Sequence, residues 1–170
     1  MRQAGLAALI SLSLTSGAAA LAKAEEPTSL GTFEDWTAYT YKNNAGVVCY
    51  VVSKPTGSEP KNVKRDPAFF LVTHRPAQKV RNEVSTIIGY PFKENTTVAL
   101  KIDKTDFELF TNGDGAWADT TAKDKQIVGA LKKGQKLSVK GTSRRGTQTV
   151  DNYSLNGIKA ALDKIDESCK

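Results

Sequence analysis

Apolar and polar positions alternate along most of this chain, and prolines, glycines and charged clusters cut the alternation into eight short runs. Asp35 to Tyr41 alternates around Trp36, Ala38 and Thr40. Gly46 to Ser53 (GVVCYVVS) is continuously apolar, the mark of a strand covered on both faces. Ala68 to His74 and Glu83 to Tyr90 are two further dense runs, closed by Pro76 and Pro91, which cannot donate to a ladder. Thr97 to Ile102 points Val98, Leu100 and Ile102 to one face, and Phe107 to Phe110 follows across Asp103 to Asp106. That spacing predicts a hairpin. Gln135 to Thr142 and Thr147 to Tyr153 predict another, turning at Ser143-Arg144-Arg145-Gly146. Residues 25–33 read as a lead-in segment, and Lys54 to Asp66 as a polar loop.

Two stretches change the period from two to three and four. Thr120 or Thr121 can cap a helix running to about Lys133, with Ile127, Val128, Ala130 and Leu131 apolar and Gly134 just beyond. Ser154 is placed to cap a last helix, whose Leu155, Ile158, Leu162 and Ile165 form one stripe that Cys169 continues. About eight hairpin-connected strands, a short inserted helix and a C-terminal helix predict a mainly β protein, an antiparallel β-sandwich or barrel.

The first 24 residues follow neither period. Met1-Arg2 is a cationic start, Ala4 to Leu14 is short and apolar, and Ala22-Lys23-Ala24 has the A-x-A form of a signal-peptide cleavage site. Cleavage is expected after Ala24, with Ala20 and Ala22 as the other sites. A membrane anchor would want about 20 unbroken apolar residues, and no later stretch supplies them, so no transmembrane segment is expected. Residues 25–170 are then one domain in the periplasm, in the cell envelope or outside the cell. Arg2 and Lys23 would leave with the signal, so 22 of the 24 basic residues face 18 acidic ones, a net +4 in place of +6. Such mild basicity does not call for nucleic acid.

Export changes what the two cysteines mean. In an oxidising compartment an even count with nothing left over argues for a Cys49–Cys169 disulfide. The position of Cys169 on the helix stripe supports it. The single histidine, His74, has no H-x-x-x-H or C-x-x-C company, so neither metal nor cofactor is expected. A triad could be drawn from His74, a serine and Asp66 or Asp151, but no G-x-S-x-G turn accompanies it. His74 reads better as the polar end of a strand or the partner of a nearby carboxylate. Asp103, Asp106 and Asp114 sit where turns favour aspartate. Trp36, Tyr50, Tyr90 and Trp117 could stack on a sugar ring, although aromatics in strands more often pack. No catalytic residue is assigned. Lys61, Lys64 and Arg65 in the long loop, with Lys140, Arg144 and Arg145 around the late hairpin, are the candidate contacts for an anionic envelope or host component.

Several fragments resemble one family in order. They are Phe33-Glu34-Asp35-Trp36 with Cys49 beyond it, Val80 to Ser85, Ile88-Gly89-Tyr90-Pro91-Phe92 and Gly113-Asp114-Gly115-Ala116-Trp117. Lys140 to Ser143, Tyr153 to Gly157 and Ala160 to Leu162 complete the set. Together they are similar to the invasion-associated locus B proteins of alphaproteobacteria across nearly the whole exported domain. The resemblance implies an exported protein of the periplasm or envelope, and the family is named for a member linked to host-cell invasion. It brings no catalytic residue and no cofactor. The expectation is a non-enzymatic binding protein, supporting invasion of or survival in a host. An envelope glycan or peptide hydrolase and a small-ligand carrier are the alternatives.

Overall fold

The alternation resolves into eleven strands and two α-helices in a computed structural model that describes residues 26–170. The expected signal peptide and its cleavage site lie outside the described residues. The strands are β1 (Thr28–Phe33), β2 (Trp36–Asn43), β3 (Gly46–Ser53), β4 (Gly57–Glu59), β5 (Phe69–Arg75), β6 (Val80–Ile87), β7 (Thr97–Ile102), β8 (Thr105–Asn112), β9 (Gly115–Trp117), β10 (Lys136–Thr142) and β11 (Gln148–Ser154). Helix α1 spans Thr121–Leu131 and α2 spans Ile158–Ser168. The three strands beyond the expected eight are β1, β4 and β9. β1 is a half-exposed edge, β4 lies inside the polar loop and β9 follows the Asn112-Gly113 turn. Each forms by pairing with a neighbour and carries little apolar pattern of its own.

All strands join one antiparallel sheet in the order β1-β2-β3-β5-β6-β9-β8-β7-β10-β11-β4. Phe70 on β5 and Tyr153 on β11 are six strands apart in that order. In a flat sheet they would be separated by about 28 Å, yet their ring centroids lie 5.9 Å apart. Trp36 on β2 likewise donates its indole N–H to the Ser154 carbonyl at 3.0 Å. The sheet therefore rolls around its core without closing, with β1 and β4 as its edges. Trp36, Phe70, Leu100, Leu109, Ile127 and Leu162 are fully or almost fully buried inside it.

The two helices cover the roll. Thr120 caps α1, its side-chain oxygen accepting the Lys123 N–H at 3.2 Å, and α1 packs on β6. α2 lies across β1, β2 and β3 and buries Ile158, Ala161, Leu162 and Ile165. Ser154 does not cap it: Ser154 ends β11, and Gly157 precedes the helix at φ +85° with no side-chain cap. A Cβ at Gly157 would sit 2.0 Å from the Phe33 carbonyl oxygen, so the chain can pass there only as glycine. Cys169 follows α2 and is bonded to Cys49 on β3, with Cα atoms 6.0 Å apart and a sequence separation of 120.

Candidate functional site

Two basic segments distant in sequence meet at one end of the roll. The β10–β11 hairpin turns through residues 144–146. The Ser143 N–H donates to the Thr147 carbonyl at 2.9 Å, and the Gly146 N–H to the Ser143 carbonyl at 2.8 Å. Gly146 adopts φ +84°, as a three-residue hairpin loop requires. This tip holds Arg144 and Arg145 out to solvent. Its flank is clipped to the chain leaving β6: the Arg144 N–H donates to Pro91 O and the Lys93 N–H to Thr142 O, each at 2.9 Å.

The long loop supplies the facing wall, and Arg65 fastens it. Its guanidinium makes a double hydrogen bond to Asp151, which is fully buried on β11, and donates to the Ile88 carbonyl at 2.8 Å. Ser58 on β4 donates to the same carboxylate at 2.6 Å. Asp66 N–H donates to Gly89 O at 3.0 Å, an approach so close that a Cβ on Gly89 would meet that Asp66 carbonyl oxygen at 1.9 Å. The Arg65 guanidinium also lies over the Tyr90 ring, 5.9 Å from its centre. Tyr90 shares a 2.7 Å hydrogen bond with Thr149.

Between the walls is a depression of about 790 Å³, lined by Lys64, Arg65, Asp66, Tyr90, Arg144 and Arg145. Lys64, Arg144 and Arg145 are exposed and have no salt-bridge partner among the described residues. Arg65 is different, because its charge is spent on Asp151 and it frames the groove. Lys61 and Lys140 are exposed on the same loop and hairpin but do not line the depression. The sequence offered Tyr90 as a stacking aromatic and Pro91 as a strand stop, but gave no sign that the 88–93 segment meets the two basic segments.

His74 lies elsewhere and is fully buried. Its Nδ1 accepts the Asn82 N–H at 3.0 Å, which leaves the ring proton on Nε2 to be donated to Asp166 at 3.0 Å. Arg81 joins from β6, donating to Asp166 at 3.1 Å and to the Cys169 carbonyl at 3.0 Å. Burial alone would raise the Asp166 carboxyl, but the hydrogen bonds from His74 and Arg81, aided by the charge of Lys132, hold it below the usual carboxylate range. No serine hydroxyl bonds the His74 ring among the described residues. Asp151 and Asp66, the other acids considered for a triad, belong to the groove. The observed arrangement docks α2 beside the disulfide.

The aromatic candidates divide. Trp36 is wholly buried, Tyr50 stacks on Tyr39 at 5.3 Å, and Tyr90 meets Phe92 edge-on at 5.8 Å. Trp117 is partly exposed beside Phe110, itself 47% exposed. Asp103 accepts the Gln135 and Lys136 N–H groups, and Asp106 pairs with Lys101. Among the described residues no group of three His, Cys, Asp or Glu side chains could hold a metal ion, and no helix is long and apolar enough to cross a membrane.

A comparison with curated proteins found no match. Among solved structures, the crystal structure of invasion associated protein B from Bartonella henselae is similar, with a TM-score of 0.59 and 18% sequence identity. The alignment covers 83% of this chain and 97% of that one; at this identity the likeness establishes the fold. The family model for the invasion associated locus B (IalB) protein matches residues 36–166, from the start of β2 into α2. The chain therefore belongs to the IalB family.

Proposed function

We propose that this chain is an exported, non-enzymatic binding protein, and that the groove between Lys64 and the Arg144–Arg145 tip receives an anionic group of an envelope or host component. The observation that carries the reading is the pairing pattern. Arg65 is neutralised by Asp151, while Lys64, Arg144 and Arg145 converge on the same depression and form no salt bridge among the described residues. Asp66 is the one acid in the lining, so the cations outnumber it, and a concave site with such an excess of one sign concentrates the opposite charge. Export is supported by the amino-terminal pattern and by the Cys49–Cys169 bond, which suits an oxidising compartment. A part in host-cell invasion or survival would be exerted through this contact.

The test uses the oxidised 25–170 protein with vesicles of zwitterionic lipid, with and without anionic lipid, and separately with an acidic polysaccharide. Binding to an anionic probe that weakens with salt, and is lost in a Lys64→Ala/Arg144→Ala/Arg145→Ala variant, is the expected result. Equal binding by that variant, or no binding to any anionic probe, would overturn the reading. Fractionation of cells making the full chain tests export: protein confined to the cytoplasm with two free thiols would refute it.

A further inference from the structure

A second depression lies on the outer face of the sheet, where β8 pairs with β9. Phe110 stands directly opposite Trp117 in that ladder. Their sequence neighbours Leu109 and Ala116 point into the core, so strand alternation turns both rings outward. The rings lie 6.0 Å apart and only 33° from parallel, a shallow apolar platform. Around it, Asn112, the first turn of α1 and the β6 residues Arg81 and Glu83 enclose about 450 Å³, within the range of small-molecule sites.

Asp124 closes the floor. It is 8% exposed, and its Oδ1 accepts the Val84 N–H at 2.8 Å. Its other oxygen has no hydrogen-bond partner among the described residues. The remaining acids of the depression are occupied: Glu83 is bonded to Arg75, and Asp119 to Lys123 at 2.9 Å. Asp124 is thus a nearly buried carboxyl without a cation, beside exposed aromatic rings. Burial raises its pKa to about 6, with the charges of Glu83 and Asp119 adding to the effect.

A ligand for this surface needs an apolar face for the rings and hydroxyl donors for the acid. An organic cation meets the second need poorly, because Lys79 and Arg81 line the same depression. We infer that the Phe110–Trp117–Asp124 depression is a saccharide-binding subsite: the C–H face of a pyranose ring lies on the aromatic platform, and its hydroxyls bond the Asp124 carboxyl and the Asn112 amide. The site is independent of the cationic groove, since a neutral sugar carries no charge for the groove to attract. The two are nevertheless linked through the backbone. The turn that bears Asn112 is bonded through the Gly113 carbonyl to Phe92, next to Pro91 on the groove.

The chain has two tryptophans, and Trp36 is fully buried, so acrylamide quenching of intrinsic fluorescence reports on Trp117. The oxidised 25–170 protein is titrated with N,N′,N″-triacetylchitotriose, with maltotriose and with choline. Saturable protection of Trp117 by one of the sugars is expected. Affinity should weaken about five- to tenfold in Phe110→Ala, from the lost ring contact, and about tenfold in Asp124→Asn, from the lost charge-assisted hydrogen bond. Both variants keep the fluorescent reporter, and the asparagine can still accept from Val84. Absence of a saturable response to both sugars, a response equal in both variants to that of the native protein, or protection by choline alone would each overturn the proposal. None of these outcomes bears on binding of anionic probes in the groove.

Discussion

Two ends of the rolled sheet use similar charges for opposite purposes. At the α2 end, His74, Arg81 and Lys132 converge on Asp166, and Arg81 also holds the Cys169 carbonyl. Each of these donors has an acceptor, and together they dock a helix. At the hairpin-tip end, one cation of the cluster, Arg65, is matched to an acid, while Lys64, Arg144 and Arg145 are not. Composition cannot tell the ends apart. Pairing can, because charge satisfied inside the protein is structural, whereas charge gathered at a concave surface and left unmatched is available to a partner.

The comparison predicts that breaking the α2 end costs stability first. Replacing Cys49 and Cys169 by serine releases a 120-residue loop, worth about 4–5 kcal/mol in the chain-entropy account. Urea denaturation of the oxidised protein and the double variant measures it. A loss below about 1 kcal/mol would mean that loop closure contributes little and that the Asp166 network and the apolar stripe hold α2 by themselves.

Asp151→Ala comes next and crosses the comparison. It strands the Arg65 charge in a nearly buried position, at a cost of about 3–5 kcal/mol. It should also weaken binding of anionic vesicles, although no groove cation is removed, because Arg65 no longer clips the long loop to β11. Adding Arg65→Met should restore much of the stability. If the double variant regains stability and full vesicle binding, Arg65 is not what shapes the groove.

The third effect is a gain, read from pH. Asp124 holds its proton to about pH 6 in the fold but to about pH 4 when unfolded. Between those values the native state binds more protons, so stability falls as pH rises. Asp166 runs the other way: its depressed pKa supplies stability that is present above the ordinary carboxylate range and is lost on acidification. Asp124→Asn should remove the first slope, keep the second, and stabilise the protein by about 1–3 kcal/mol at pH 7 to 8. Thermal melts from pH 2 to 8 measure both slopes, that of Asp124 between about pH 4 and 6 and that of Asp166 below about pH 4. An unchanged slope between pH 4 and 6 would show that Asp124 is ionised as an ordinary aspartate.

Much of the fold was legible because apolar alternation is local. The eight patterned strands, the Thr120 cap and the Ile158-Leu162-Ile165 stripe can all be read within a few residues. β1, β4 and β9 were not legible, since TSLGTF, GSE and GAW become strands only when a neighbour offers its free edge. Ser154 looked like a cap because serine favours that position, yet the β10–β11 register claims it first. The site followed the same rule. Arg144-Arg145 announced itself as exposed charge on a turn. The fate of Arg65 depended on Asp151, 86 residues away, and before folding that acid was as available to His74 as to arginine.

The smallest stability effect is the sharpest test of the comparison. Arg145→Ala removes a solvated side chain at a hairpin tip, where substitutions generally change stability by less than about 0.5 kcal/mol. Arg81→Ala removes a guanidinium of similar character from the other end, and it should cost more because the Cys169 carbonyl and Asp166 both lose a donor. Net charge changes equally in the two variants. A partner that sensed only overall charge would bind both with the same reduced affinity and the same shallower salt dependence. A partner seated in the groove would bind the Arg145 variant more weakly and the Arg81 variant almost as well as the native protein. Vesicle binding at two ionic strengths, set beside urea denaturation of the same samples, separates these cases: stability should follow Arg81 and binding should follow Arg145.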